Sequence, residues 1–235
     1  QLHLRPGTDD ALAQALINVI IQNKTYDELF IKRWTNGPML VVDDLEPSGF
    51  AWTNKYEMPG AYPLNIRTRL LKESDMVEGG SPQKFAVWNA RQGKVTFFDA
   101  PSGLWEGETG PTYPDPEKDC EVLHPSYLTP DDDNYDDTAA LNTIDPGFPE
   151  ALNLDPALEG EFEVTLKDGR TVRAVTVWQR FAKRVAYWTP ERAAEHCWLD
   201  ADLIRETALA YSKEPGMGGI MYNLPIEHTG NATET

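Results

Sequence analysis

Residues 101–161 constrain the fold of this chain more than any other stretch, because they offer little from which a regular core could be built. They contain 16 acidic side chains and one basic side chain, Lys118, together with nine of the 18 prolines. Proline interrupts helices and central strands, and almost no hydrophobic periodicity is present. We therefore expect a long irregular acidic loop that is held in place by its aromatic side chains, of which Trp105 and Phe148 are two.

The net charge of the chain is concentrated in this same loop. The 235 residues carry a net charge of −17, of which residues 101–161 contribute −15. Nucleic acids and anionic membranes are bound by clustered Lys and Arg, so this charge argues against both as partners. No apolar run approaches the ~20 residues that a membrane span requires. Cys120 and Cys197 form no C-x-x-C pair, which argues against an iron–sulfur motif or a zinc ribbon.

Local patterns before the acidic loop predict two helices, a strand and a hairpin. Apolar residues at helical spacing predict a helix over 9–22, and a capping box at Thr25 predicts a second helix that ends near Trp34. A short buried strand is expected at Met39–Val42. Residues 46–65, rich in Pro, Gly and aromatic side chains, are interpreted as an ordered loop. Alternating apolar residues predict a hairpin over 84–99.

Similar patterns after the loop predict a second hairpin and further helices. Alternation around an Asp-Gly turn predicts a hairpin over 161–177. Helices are expected from Trp178, after the cap Thr189 with its following proline, and after the cap Asp200. A buried strand is expected over 218–224.

Together these elements predict the α/β fold class, with a mixed sheet, flanking helices and the long irregular acidic loop. We expect residues 1–235 to form a single domain in three parts. Residues 1–100 form the helical start and first hairpin, 101–161 the acidic Pro-rich loop, and 162–235 the second hairpin, the helices and a final polar loop.

Clusters of metal-ligating residue types are present, but their spacing does not suit a metal site. The acidic run Asp131–Asp137 lacks the alternation and the glycine of a calcium loop. Glu195-His196-Cys197 has no histidine one helical turn away, so the zinc-protease pattern is absent. We predict no metal ligands in this chain.

The first candidate site is the run Arg5-Pro6-Gly7-Thr8-Asp9 at the start of the first helix. A helix N-terminus offers unpaired N–H groups and partial positive charge. A carboxylate at this point also accepts two hydrogen bonds from a planar N–H/NH₂ edge, which guanine presents. The alternative is that Thr8 and Asp9 only cap the helix.

The second candidate site is the polar run from Glu227 to Asn231, after the predicted strand 218–224. Polar residues at the carboxyl end of a buried strand are where open α/β sheets place ligands. The alternative is an ordinary surface loop. Glu227 and His228 also suit an acid/base hydrolase, but no nucleophile or metal set accompanies them.

A non-catalytic function stays open beside these sites. The acidic loop 101–161 suits the contact surface of a protein-binding module. Such a module would show an exposed apolar patch beside the loop.

Several runs in this chain resemble the molybdopterin oxidoreductases of the dimethyl sulfoxide reductase superfamily. The resemblance covers nearly the whole chain and is weak over 101–160. Residues 70–88 and the hairpin 160–177 are similar to its acetylene-hydratase-like and formate-dehydrogenase-like branches. The runs that carry it are Leu4-Arg5-Pro6-Gly7-Thr8-Asp9, Asn18-Val19-Ile20-Ile21, Tyr26-Asp27, Trp34-Thr35, residues 70–88, and the hairpin 160–177 leading into Thr189-Pro190-Glu191.

The resemblance implies a cofactor and the residues that contact it. Family members bind two molybdopterin guanine dinucleotides around one molybdenum or tungsten ion, and many carry an iron–sulfur cluster. By resemblance, Gly7, Thr8 and Asp9 contact a guanine dinucleotide, with Asp9 on the base. Three further residues would fall where the family loop approaches the pterin: Asn223, Glu227 and His228.

The resemblance also implies that much of the enzyme lies outside these residues. The chain starts with Gln1, and we expect it to be the central domain of a larger oxidoreductase, lining the cofactor and substrate funnel. Alone, it is expected to bind no cofactor and to be inactive. The expected partners are the remaining domains of the same polypeptide and an iron–sulfur electron-transfer subunit. The bacterial cytoplasm and the periplasm both remain open as locations.

Overall fold

In the computed structural model the longer helices lie near the two ends of the chain, and the strands lie between them. The residues that the structure describes are 2–51, 65–108, 148 and 150–213. They belong to two compact units. The first unit comprises Gln1–Glu28 and Trp178–Thr235, and the second comprises Leu29–Val177. The prediction that residues 1–235 form one domain of a larger enzyme stays a prediction.

The first unit is built from helices. In chain order they are α1 (Asp9–Asn23), α4 (Val177–Val185), α5 (Pro190–Cys197) and α6 (Ala201–Tyr211). A buried apolar cluster joins α1 to α5 and α6; its fully or nearly fully buried members are Ala11, Leu12, Ala15, Ala193, Cys197 and Ile204. The helix that the apolar spacing predicts over 9–22 is thus confirmed, and most of its buried residues are apolar.

The starts of α5 and α6 follow the capping chemistry of the sequence. The Thr189 hydroxyl accepts a hydrogen bond from the Arg192 N–H, and a proline follows it at the first position of α5. The Asp200 carboxylate accepts from the N–H groups of Asp202 and Leu203 at the start of α6. Both predicted caps are confirmed, because a cap depends only on residues within one turn of the chain.

The second unit contains the strands and two short helices. Its helices are α2 (Glu28–Trp34) and α3 (Glu73–Met76). A three-stranded antiparallel sheet joins β4 (Lys84–Asn89), β5 (Lys94–Asp99) and β6 (Leu104–Trp105). A second joins β1 (Leu40–Val41), β8 (Thr171–Thr176) and β7 (Glu161–Thr165). Both predicted hairpins, over 84–99 and 161–177, are confirmed.

The prediction of one mixed sheet is wrong for the described residues. Their strands form small sheets in which every pair is antiparallel. The predicted hairpins already favour this arrangement, because a short turn joins antiparallel neighbours whereas parallel neighbours need a long crossover. The α/β class itself is confirmed. The predicted strand 218–224 lies outside the described residues.

The interpretation of residues 46–65 as a loop is also wrong in part. β2 (Ser48–Ala51) pairs with β3 (Asn65–Thr68) in an antiparallel register, with Ser48 opposite Thr68. Each strand has only four residues, which is too short to show a clear alternation of apolar residues. The surrounding Pro and Gly residues therefore dominate the sequence pattern and favour a loop. Residues 52–64 lie outside the described residues.

The structure describes only the two ends of the acidic loop 101–161, and these ends form short elements. They are β6, a 3₁₀ turn at Glu150–Leu152, and the first residue of β7. Trp105 is buried, and its ring packs edge-on against Phe148 at 5.3 Å between ring centres. Both residues thus act as the aromatic anchors that the sequence predicts. Residues 109–147 and 149 lie outside the described residues, so the interpretation of this loop as a binding surface stays a prediction.

Candidate functional site

The first candidate site is a tight turn that leads directly into α1. Gly7 has a φ of +78°, a conformation that glycine adopts without strain. A side chain at this position would have no heavy atom within 4 Å, so the turn presents its backbone to open space. Asp9 and Asp10 form the acidic first turn of the helix, and both are half-buried.

Thr8 is buried, but its hydroxyl does not cap α1. The hydroxyl donates a hydrogen bond backwards to the Arg5 carbonyl at 2.7 Å, and no side-chain cap bond is made to the first turn. The alternative interpretation, in which Thr8 serves only as a cap, is therefore wrong for this side chain. As a consequence, the Thr8 side chain does not occupy the first-turn N–H groups of α1.

The end of α5 holds this turn from the other side. The Arg5 N–H donates to the Cys197 carbonyl at 2.9 Å, and the Cys197 thiol donates to the Thr8 carbonyl at 3.5 Å. Burial raises the pKa of the Cys197 thiol, and Asp10 and Asp9 add to the increase. Cys197 is therefore a structural thiol that fixes the Thr8 backbone, because a raised pKa suppresses the reactive thiolate.

Next to this turn is an aromatic residue that the sequence analysis missed. Trp198 follows α5 directly, and the Arg5 guanidinium lies over its ring at 5.1 Å from the ring centre. The Trp198 side chain is 71% exposed, and its backbone has a φ of 60°. A signal for it exists in the sequence: a bulky residue occupies a position where helices usually end in Gly or Asn.

The chemistry of this set suits a particular kind of ligand. Asp9 offers a carboxylate with two acceptor oxygens, and the first turn of α1 offers N–H donors and partial positive charge. Arg5 and Trp198 add a cation and an exposed aromatic ring. A planar base with adjacent N–H donors, linked to anionic oxygens, fits these donors and acceptors.

The second candidate site, the polar run from Glu227 to Asn231, is not among the described residues. Asn223, Glu227 and His228 lie outside the described residues, as do the acidic run Asp131–Asp137 and Cys120. Their predicted roles stay predictions.

The described residues show no grouping that suits a metal ion. Within residues 2–51, 65–108, 148 and 150–213, no three His, Cys, Asp or Glu side chains lie together as a metal site requires. The exposed His196 ring instead packs against Trp188, with 5.2 Å between ring centres.

The second unit contains a cavity of about 270 Å³ with an aromatic lining. Its lining includes Arg33, Trp34, Phe98 and Trp105. The Arg33 guanidinium is paired with the Glu108 carboxylate at 3.0 Å, so this cation is already neutralised. The cavity thus offers aromatic surface and no nucleophile or acid–base pair.

No helix in the described part of the chain has the length and apolar character needed to cross a membrane.

Comparison with known proteins identifies relatives along almost the whole chain. No family model matches it. The chain is 41% identical to dopamine dehydroxylase from Eggerthella lenta over 99% of its own length and 24% of that protein. It is 30% identical to the perchlorate reductase alpha subunit of Dechloromonas aromatica, covering 90% of this chain and 18% of that subunit. It is 25% identical to the dimethylsulfide dehydrogenase alpha subunit of Rhodovulum sulfidophilum, covering 89% of this chain and 16% of that subunit.

The chain therefore spans at most about a quarter of the length of these curated relatives. They are oxidoreductases, and several are alpha subunits of multi-subunit reductases. The narrower resemblance to the acetylene-hydratase-like and formate-dehydrogenase-like branches stays a prediction. The broader one is confirmed, and this chain belongs to the molybdopterin oxidoreductases of the dimethyl sulfoxide reductase superfamily.

Proposed function

We propose that this chain is the central domain of a molybdopterin-guanine-dinucleotide-dependent oxidoreductase and that it lines the cofactor and substrate funnel. Relatives named after dopamine, perchlorate and dimethylsulfide all match the same segment. A segment that is common to enzymes with such different substrates has a role in a feature that these enzymes have in common. We infer that the shared element is the cofactor, so that substrate choice depends on other segments.

Gly7, Thr8 and Asp9 are the residues that we assign to one guanine dinucleotide. The Asp9 carboxylate accepts hydrogen bonds from the guanine N1–H and N2–H₂ groups, and the N–H groups that follow Thr8 donate to the phosphate oxygens. The observation that carries this proposal is the Thr8 hydroxyl, which turns back to Arg5 and leaves those N–H groups without a side-chain cap. Gly7 keeps the approach to them open.

We assign further roles to the C-terminal residues of this chain and to the rest of the full-length enzyme. Asn223, Glu227 and His228 approach the pterin, and an iron–sulfur subunit exchanges electrons with the full-length enzyme. The redox chemistry is supplied by the bound cofactor and its molybdenum or tungsten ion. The isolated chain holds part of this binding surface, and we expect it to retain no molybdenum and to turn over no substrate.

Asp9→Asn in the full-length enzyme tests the assignment. One carboxylate oxygen becomes an NH₂ group that faces a guanine donor, while Thr8, the residue at the N-cap position of α1, is unchanged. A charge-assisted contact of roughly 1.5–3 kcal/mol is lost, which corresponds to about 10- to 150-fold faster cofactor loss. The measurement is guanine dinucleotide and molybdenum per protein after gel filtration.

Asp10→Asn is the matched control, because Asp10 is equally half-buried in the same helical turn. We expect its cofactor content to equal that of the unmodified enzyme. Unchanged content in Asp9→Asn, or an equal loss in both variants, would show that Asp9 does not contact the guanine.

A further inference from the structure

Trp198 is exposed and has a strained backbone conformation, and the described residues of its unit leave most of it uncovered. The side chain is 71% exposed, and its backbone adopts the left-handed conformation with φ 60° and ψ 40°. This conformation is uncommon for bulky residues, whereas glycine adopts it without strain. Left-handed residues commonly end helices, and Lys24 ends α1 in the same way, so the fold explains the backbone conformation. The exposed ring beside the turn before α1 is the feature that points to a role outside the fold.

The ring is held beside the turn that starts α1. Arg5 lies over one face of Trp198 at 5.1 Å from the ring centre, and the Arg5 N–H is bonded to the residue immediately before Trp198. The Arg5 carbonyl accepts the Thr8 hydroxyl at 2.7 Å. Trp198 and the backbone of Thr8 are thus linked through one residue, Arg5.

We propose that the Trp198 ring stacks on the guanine base whose donor edge is bound by Asp9, with Arg5 as the positioning residue that fixes the ring. This inference rests on the proposed function. The large exposed fraction of Trp198 means that the ring has area free beyond the face covered by Arg5. A purine base presents a π-face of similar size, and base–aromatic stacking adds affinity without needing further hydrogen bonds.

Trp198→Gly in the full-length enzyme separates a stacking role from a structural one. Glycine relieves the backbone strain and removes the ring, so the thermal unfolding midpoint of the cofactor-free protein should not fall. Loss of the guanine dinucleotide on dilution, measured as released nucleotide, should become about tenfold faster. Trp198→Phe, which keeps a ring at this position, should retain most of the cofactor.

Two control variants in the same unit test the relief of backbone strain and the removal of an aromatic ring separately. Lys24 ends α1 with a φ of 53°, so Lys24→Gly relieves similar strain away from the site. Tyr187 is 59% exposed and carries Arg192 over its ring at 3.9 Å, so Tyr187→Ala removes an equivalent stacked aromatic. Neither variant should change cofactor retention.

The outcomes distinguish this inference from the function on which it rests. If Asp9→Asn accelerates cofactor loss and Trp198→Gly does not, the stacking role is overturned and the Asp9 assignment stands. If neither variant accelerates the loss, the assignment of this turn to the guanine dinucleotide is overturned as well. A fall in the unfolding midpoint of Trp198→Gly that is restored in Trp198→Phe would show a structural role for the ring and overturn the proposal.

Discussion

Replacing Glu108 by glutamine should destabilise the second unit through loss of a buried ion pair. One Glu108 oxygen accepts from Arg33 at 3.0 Å, and the other accepts from the Trp105 N–H at 3.1 Å. The Glu108 side chain is 4% exposed and that of Arg33 is 17% exposed. The Arg33 guanidinium also lies over the rings of Trp34 and Phe148, so it has little freedom to move into water.

The size of this effect follows from these distances and exposures. Unit charges 3.0 Å apart attract by about 5.5 kcal/mol at an effective dielectric constant of 20. Removing one partner of a buried pair costs roughly 3–5 kcal/mol, because the other charge stays buried without compensation. The residual exposure of Arg33 places the cost at the lower end, about 3 kcal/mol.

Urea unfolding of the purified chain, followed by tryptophan fluorescence, measures this cost. Glu106→Gln is the matched control, because Glu106 is exposed two residues away and its contact to Thr96 survives in glutamine. The control should change the free energy of unfolding by no more than about 0.5 kcal/mol. Equal effects of the two substitutions would refute the buried ion pair as a source of stability.

Two further predictions concern titratable groups. Lys72 is 1% exposed, its amino group donates to both oxygens of Ser48, and burial lowers its pKa. Because the unfolded chain binds this proton more tightly, its contribution to stability rises with pH from the lowered folded pKa up to the unfolded value of 10.5. Lys72→Met should remove that slope from urea unfolding measured across this range; an unchanged slope would count against the burial effect. Burial also raises the pKa of Cys197, so iodoacetamide at pH 8 should label this thiol far more slowly in the folded chain than in denaturant, as measured by peptide mass spectrometry. Equal labelling rates would contradict its role in fixing Thr8.

The features that the sequence predicts correctly are those determined by a few neighbouring residues. The start of α5 at Thr189 and that of α6 at Asp200 depend on one turn of chain each. The hairpin at 161–177 depends on strand alternation and an Asp-Gly turn. The helical spacing of apolar residues predicts α1 before any partner helix is known.

The features that the sequence does not predict depend on residues far apart in the chain. The start of α2 is at Glu28 rather than at the predicted cap Thr25, whose hydroxyl pairs with Ser212. The pairing of Ser48–Ala51 with Asn65–Thr68 joins two strands too short to show alternation. No local pattern indicates that the Lys72 amino group is buried against Ser48.

The candidate site shows the same division. Gly7, Thr8 and Asp9 were predicted as a site from helix-start chemistry and the family resemblance. The position of Trp198 beside this turn could not be predicted, because it depends on Arg5 meeting the end of α5, about 190 residues later in the sequence. The direction of the Thr8 hydroxyl could not be predicted for a different reason, because the Arg5 carbonyl and the first-turn N–H groups both lie within its reach.

The central claim is that the start of α1 binds the guanine end of the cofactor. An experimental structure of the cofactor-loaded full-length enzyme tests it most directly, through the distances from the Asp9 carboxylate oxygens to the guanine N1 and N2 atoms. We predict that both distances are hydrogen-bond lengths of about 2.7–3.2 Å. A guanine bound elsewhere, with Asp9 facing solvent or another protein segment, would contradict the claim.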